Sequence, residues 1–215
     1  ILKSLFTKLG FPIESTSSRK VFFNTGWLFF ERILNLLAGL FVGVWVTRYL
    51  GPERLGLYSY VLSFSVLFTS LASFGIDQIL IRDLVKFPKR KDELISTAFF
   101  IKIFGSVMTF LLALIVVFIL GYNDEETGLF IFIVSGTTIF QCFSVIDLYF
   151  QSLVESRRIV KANSIVLIVG YVLKILFILN EFTLIAFILI IPLEAFIRAS
   201  TYIIVLRLNN QKIKI

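Results

Sequence analysis

Three features of this 215-residue chain point to an all-α membrane protein, built as a six-transmembrane-helix bundle. Hydrophobic residues make up 58% of it and charged ones only 16%, where a soluble domain carries about one-quarter charge. Six apolar stretches are each long enough to cross a bilayer, and positive charge alternates between the segments joining them. A soluble fold could not cover this much apolar surface with polar side chains, so lipid is its natural solvent.

Crossing the hydrocarbon takes about 20 apolar residues at about 1.5 Å each. The stretches that qualify are 24–47, 55–74, 96–120, 129–150, 163–179 and 182–206. The fifth is the shortest, and its start can slide back into the basic segment before it. Each is expected to be helical, because an isolated strand leaves backbone groups unpaired in lipid. Residues 24–206 thus form the bundle, between an N-terminal arm, 1–23, and a tail, 207–215.

The connections test this division independently. Lys3, Lys8, Arg19 and Lys20 lie in the arm, and Arg82, Lys86, Lys89, Arg90 and Lys91 between spans two and three. Arg157, Arg158 and Lys161 lie between spans four and five, and Arg207, Lys212 and Lys214 in the tail. The other three connections hold only Arg48 and Arg54, against Glu53, Asp124, Glu125, Glu126 and Glu181. By the positive-inside rule both termini are cytoplasmic. The chain starts at Ile1 and stops at Ile215 as a fragment would. No small-residue cleavage site follows the first apolar run, which reads as an uncleaved helix.

A net charge of +7 would suggest nucleic acid in a soluble protein; here it sets membrane orientation, and no nucleic-acid partner is expected. The single cysteine, Cys142, excludes an intrachain disulfide. With no histidine, imidazole metal sites and Ser-His or Cys-His pairs are removed. No metal, cofactor or catalytic group is expected, and the chain does not read as an enzyme. In the longest connection, 75–95, Ile76, Ile79, Leu80, Leu84 and Val85 are interspersed with Asp77, Arg82 and Asp83. It is expected to extend span two or to lie in the interface, apolar face in lipid.

Polar side chains inside the spans mark candidate sites. Span one holds Glu31, Arg32 and Asn35, with Arg32, Asn35, Gly39 and Gly43 in one stripe. The Gly39–Gly43 pair permits close backbone approach. Arg32 faces either a wet cavity or a neighbour that merely neutralises it. Span six offers Glu194, Arg198 and Thr201 on one face, with Glu194 and Arg198 at ion-pair spacing, and Pro192 just before them can kink the helix. Lys102 and Lys174 lie near helix ends, where snorkelling explains both. Span four carries Thr137, Gln141, Ser144, Asp147 and Gln151 along one side, a stripe long enough for a wet lumen. Ser59, Ser63, Ser70 and Ser73 on span two suit helix packing. Polar faces on spans one, four and six, with Lys174 on five, fit passage of a polar solute better than a structural anchor.

The stretch from Asn24-Thr-Gly-Trp-Leu through Arg48-Tyr-Leu-Gly-Pro-Glu-Arg-Leu-Gly-Leu-Tyr58 resembles the opening of the polysaccharide transporter family. These are the O-antigen and exopolysaccharide flippases of the multidrug/oligosaccharidyl-lipid/polysaccharide exporter superfamily. The similarity continues through Phe74-Gly-Ile-Asp77 and Ile81-Arg82-Asp83-Leu84, then Asp147-Leu-Tyr-Phe-Gln151, Glu155 and Arg157-Arg158. In physical terms Gly51 and Pro52 break the helix at the outer surface, Gly56 permits a tight re-entry, and Arg48 and Glu53 can pair. The resemblance implies the N-terminal lobe of a twelve- to fourteen-helix transporter in the bacterial cytoplasmic (inner) membrane. It implies movement of undecaprenyl-diphosphate-linked oligosaccharide by alternating access, with membrane lipids, a polysaccharide polymerase and chain-length machinery as partners. The diphosphate is anionic, so Arg32, Asn35, Gln141, Lys174 and Arg198 are the candidate substrate-binding residues. Glu31, Asp147 and Glu194 are the candidates for ion coupling or charge pairing. These positions rest on helical faces, not on family motifs.

Three other functions compete. A cation-coupled multidrug exporter of the same superfamily needs buried acids, for which Glu31 and Asp147 are candidates. A membrane-embedded polymerase usually presents a long external loop, and here every such loop is short. A structural subunit would have no use for the polar faces.

Overall fold

The computed structural model describes residues 16–72, 75–121 and 125–208. Its helices are α1 (Thr16–Ala72), α2 (Ile76–Lys86), α3 (Lys91–Leu120), α4 (Glu125–Ser135), α5 (Ser144–Ser152), α6 (Arg157–Leu179) and α7 (Leu184–Leu208). A 3₁₀ turn, Pro88–Arg90, precedes α3, and a 3₁₀ segment, Gly136–Phe143, joins α4 to α5. The chain is an all-α, multi-pass membrane protein, with five stretches long and apolar enough to cross a bilayer.

The first of these, Thr25–Ser70, contains two crossings. Gly51 interrupts α1 with φ 69° and ψ 175°, a region essentially reserved for glycine. Pro52 follows and starts the second limb, where its missing N–H is no loss. Unbroken, α1 would hold Glu31 and Ser70 about 60 Å apart. Yet Glu31 feels the charge of Arg198, and Ser70 lines the same cavity as Arg198. The limbs therefore double back, as the Gly51–Pro52 pair leads one to expect. At that turn the Tyr49 hydroxyl donates to the Phe182 carbonyl, 2.8 Å away, tying it to the loop between α6 and α7.

Two apolar clusters hold the bundle at opposite ends. Val46, Val61, Phe64, Phe130, Phe187 and Ile188 pack near the Gly51 turn. Leu80, Ile95, Ile146, Phe150, Ile159 and Leu206 pack at the other end, where the Arg157 guanidinium lies 4.9 Å over the Trp27 ring. The faces of α1, α3 and α6 that carry Phe41, Phe118 and Ile168 are exposed.

Three expectations about elements need correction. The connection 75–95 does not extend span two, and only part of its apolar face, Ile79 and Val85, is open to the outside. Gly75, at φ 65°, starts the separate helix α2, whose Leu80 and Leu84 are buried in protein. Span four is not one α-helix: eight residues of it wind as 3₁₀. The serine face on span two does not pack, since Ser59, Ser63 and Ser70 are exposed and Ser65 is buried instead; Ser73 lies outside the described residues. The fifth helix does slide back, starting at Arg157.

Candidate functional site

A cavity of about 540 Å³ opens among the second limb of α1, α2, α3, span four and α7. Span four supplies four of its polar side chains, more than any other element. In a 3₁₀ helix residues i and i+3 eclipse, so Thr137 and Phe140 form one row, while Gln141 lies beside Ser144 and Asp147 of the first turn of α5. All five line the cavity. Thr137, Thr138 and Cys142 each bond the carbonyl three residues back, at 2.6, 2.8 and 3.1 Å, local bonds that compete with the α ladder.

Charge in the cavity is nearly balanced. Asp77, Asp147 and Glu194 line it together with Lys102 and Arg198. Lys102 is only 3% exposed, with its Nζ 2.7 Å from Asp77 Oδ1 and 2.6 Å from Ser144 Oγ. Snorkelling is thus the wrong account of Lys102: it points inward, and α2 brings a carboxylate to it. A buried cation at this depth needs such a partner.

Glu194 forms its ion pair with Lys174 of α6, at 3.1 Å, and not with Arg198 one turn away. Gly170 leaves room for this, since a Cβ there would collide with the Glu194 carboxylate. Lys174 Nζ also lies 5.3 Å from the Tyr171 ring centroid, and the Tyr171 hydroxyl sits 3.4 Å from where a Cβ on Gly39 would be. Gly43, the other half of the glycine pair, faces open space.

A second relay joins three spans. The Tyr202 hydroxyl donates to Asn163 Oδ1 at 2.9 Å, and the Asn163 side chain hydrogen-bonds Glu31. Asp147 is hydrogen-bonded by Gln151 and feels Arg198 and Lys102. Arg198 has no carboxylate within ion-pair distance among the described residues; Asp147 and Glu31 act on it from farther away.

The candidate residues therefore divide. Gln141, Asp147, Glu194 and Arg198 line one cavity, and Glu31 is linked to it through Asn163 and the Tyr202 hydroxyl. Lys174 lies behind Glu194, 18% exposed. Asn35 is half-buried on α1, and Arg32 is exposed beside it, outside the cavity lining. Sequence reasoning set Lys102 aside as snorkelling, placed Asp77 only in a connection, and did not single out Asn163 or Tyr202. Two signals were present: Asp77 belongs to the Gly-Ile-Asp element, and Tyr202 stands one turn from Arg198.

Neither the curated proteins nor the solved structures compared with the chain gave a match. The family model described as polysaccharide biosynthesis protein matches residues 21–213, nearly the whole chain. The chain belongs to that family, the polysaccharide transporters and flippases of the multidrug/oligosaccharidyl-lipid/polysaccharide exporter superfamily.

Proposed function

We propose that the protein moves lipid-linked oligosaccharide repeat units, carried on undecaprenyl diphosphate, across the bacterial cytoplasmic membrane by alternating access. The observation that carries this is Arg198: a cation on a polar cavity wall, with no ion pair among the described residues. Lys102 and Lys174 are already engaged by carboxylates, which leaves Arg198 and the exposed Arg32 as hosts for the diphosphate. Asn35 and Gln141 offer amides to sugar hydroxyls. The six spans form one lobe, whose exposed flank on α1 would face a second lobe across the pathway.

Asp147 and Glu194 on the wall, with Glu31 behind Asn163, favour a second reading, a cation-coupled exporter of the same superfamily. Glu31, Asp147 and Glu194 then carry the coupling ion or hold the cations in place. Substitution separates the two. Arg198→Ala and Arg32→Ala in the complete protein should each lower surface polysaccharide with membrane protein level unchanged. A lost charge-assisted contact corresponds to about tenfold or more in binding. Full polysaccharide output from both variants would remove these arginines from the pathway.

A further inference from the structure

A groove of about 450 Å³ lies between α6 and α7, lined in part by Arg158, Lys161, Ile165, Thr201, Ile204 and Leu208. The helices run antiparallel, so Arg158 and Leu208 sit together at one end and Ile165 and Thr201 together at the other. The seven residues between these ends correspond to about 10 Å of depth, about a third of the hydrocarbon layer. Positive charge is confined to the shallow half, Arg158 at the end and Lys161 one turn below it. Lys161 is exposed and makes no ion pair among the described residues. Arg158 is 3.3 Å from Glu155 and lies 6.0 Å over the Phe150 ring, which fixes its guanidinium at the rim. Arg157 stands over Trp27, one residue away, and Glu155 is the one acid among these groups. Below the rim the walls are mainly apolar and open, with Ile204 midway down 53% and Ile165 at the deep end 54% exposed. The Thr201 hydroxyl is taken by the Ile197 carbonyl.

Cations at the rim of a narrow apolar trough match the two halves of a phospholipid. We propose that this groove binds one anionic phospholipid, with its phosphodiester on Lys161 and Arg158 and the upper part of one acyl chain between α6 and α7. None of the groove's residues lines the central cavity, so this is a site apart from the transport pathway. Zwitterionic lipids carry a compensating cation in the headgroup, which the rim repels.

Native mass spectrometry of the full-length protein in a neutral detergent tests this. Titrated with dioleoylphosphatidylglycerol, it should retain one lipid, and with dioleoylphosphatidylcholine none. Lys161→Gln should weaken retention about fivefold, the value of one lysine at a charged interface. Ile204→Trp, which fills the trough and leaves the cations, should also weaken it. Arg82→Gln, an exposed arginine on α2, should leave retention unchanged. Equal retention of both lipids, or equal loss in Lys161→Gln and Arg82→Gln, would overturn the site as mere surface charge. Displacement by millimolar inorganic phosphate or by farnesyl diphosphate would assign the rim to a free anion or a polyprenyl diphosphate, and would overturn it too.

Discussion

Glu194 and Lys174 show how one missing methyl group governs a charge pair. Their contact crosses the backbone of α6 at Gly170, where the carboxylate occupies the volume a side chain would need. Gly170→Ala should therefore cost on the order of 1–3 kcal/mol, the usual penalty of overpacking. The same change should be close to neutral in a Lys174→Met/Glu194→Ala background, where the volume is vacated. Unfolding of the four variants in detergent measures this cycle; an equal cost in both backgrounds would mean the glycine serves another purpose. Lys102 and Asp77 make a similar point by a different route. Neither has a partner on its own helix, and the structure pairs them through the short helix α2. From one-dimensional spacing Glu194 matches Arg198 one turn on, yet its true partner is 20 residues back. Helical spacing identifies which charges share a face; it does not say which neighbouring span supplies the counter-charge.

At the scale of elements, what the sequence made legible was punctuation. Gly51 and Pro52 mark the turn between the first two crossings, and the structure turns there with a glycine-only conformation. Gly51→Ala should cost roughly 1–3 kcal/mol through strain alone, because nothing lies within 4 Å of the added Cβ. Gly56→Ala, also in open space but without positive φ, should be neutral or slightly stabilising. A thermal shift of equal size in both variants would remove the strain argument. Less legible was the change of winding in span four. Hydropathy is blind to it, since α and 3₁₀ turns of the same residues are equally apolar. The Gly136-Thr-Thr run was the only local hint, because threonine hydroxyls bond nearby carbonyls and loosen the α ladder. This segment brings Thr137 and Gln141 to the cavity beside Ser144 and Asp147 of α5. The helix α2 was misjudged because apolar residues facing protein and facing lipid look alike in sequence.

For the whole molecule, number of crossings and membrane character follow from apolar length and charge placement, both additive along the chain. The cavity does not, since it depends on contacts such as Lys102 with Ser144, 42 residues apart, and Tyr202 with Asn163, 39 apart. Those contacts require a register between spans that periodicity leaves open. What holds the functional account together is that span four turns its polar row to water within a bundle whose outer faces meet lipid. Thiol accessibility tests that directly, because replacing Cys142 with serine removes the chain's one cysteine. In that background Gln141→Cys, on the cavity wall, and Ile168→Cys, on the exposed apolar face of α6, are exposed to a charged thiol reagent in membrane fragments open on both sides. The account predicts rapid modification at 141 and none at 168. An unreactive 141 beside a reactive 168 would mean a dry centre and a wet exterior, and would contradict it.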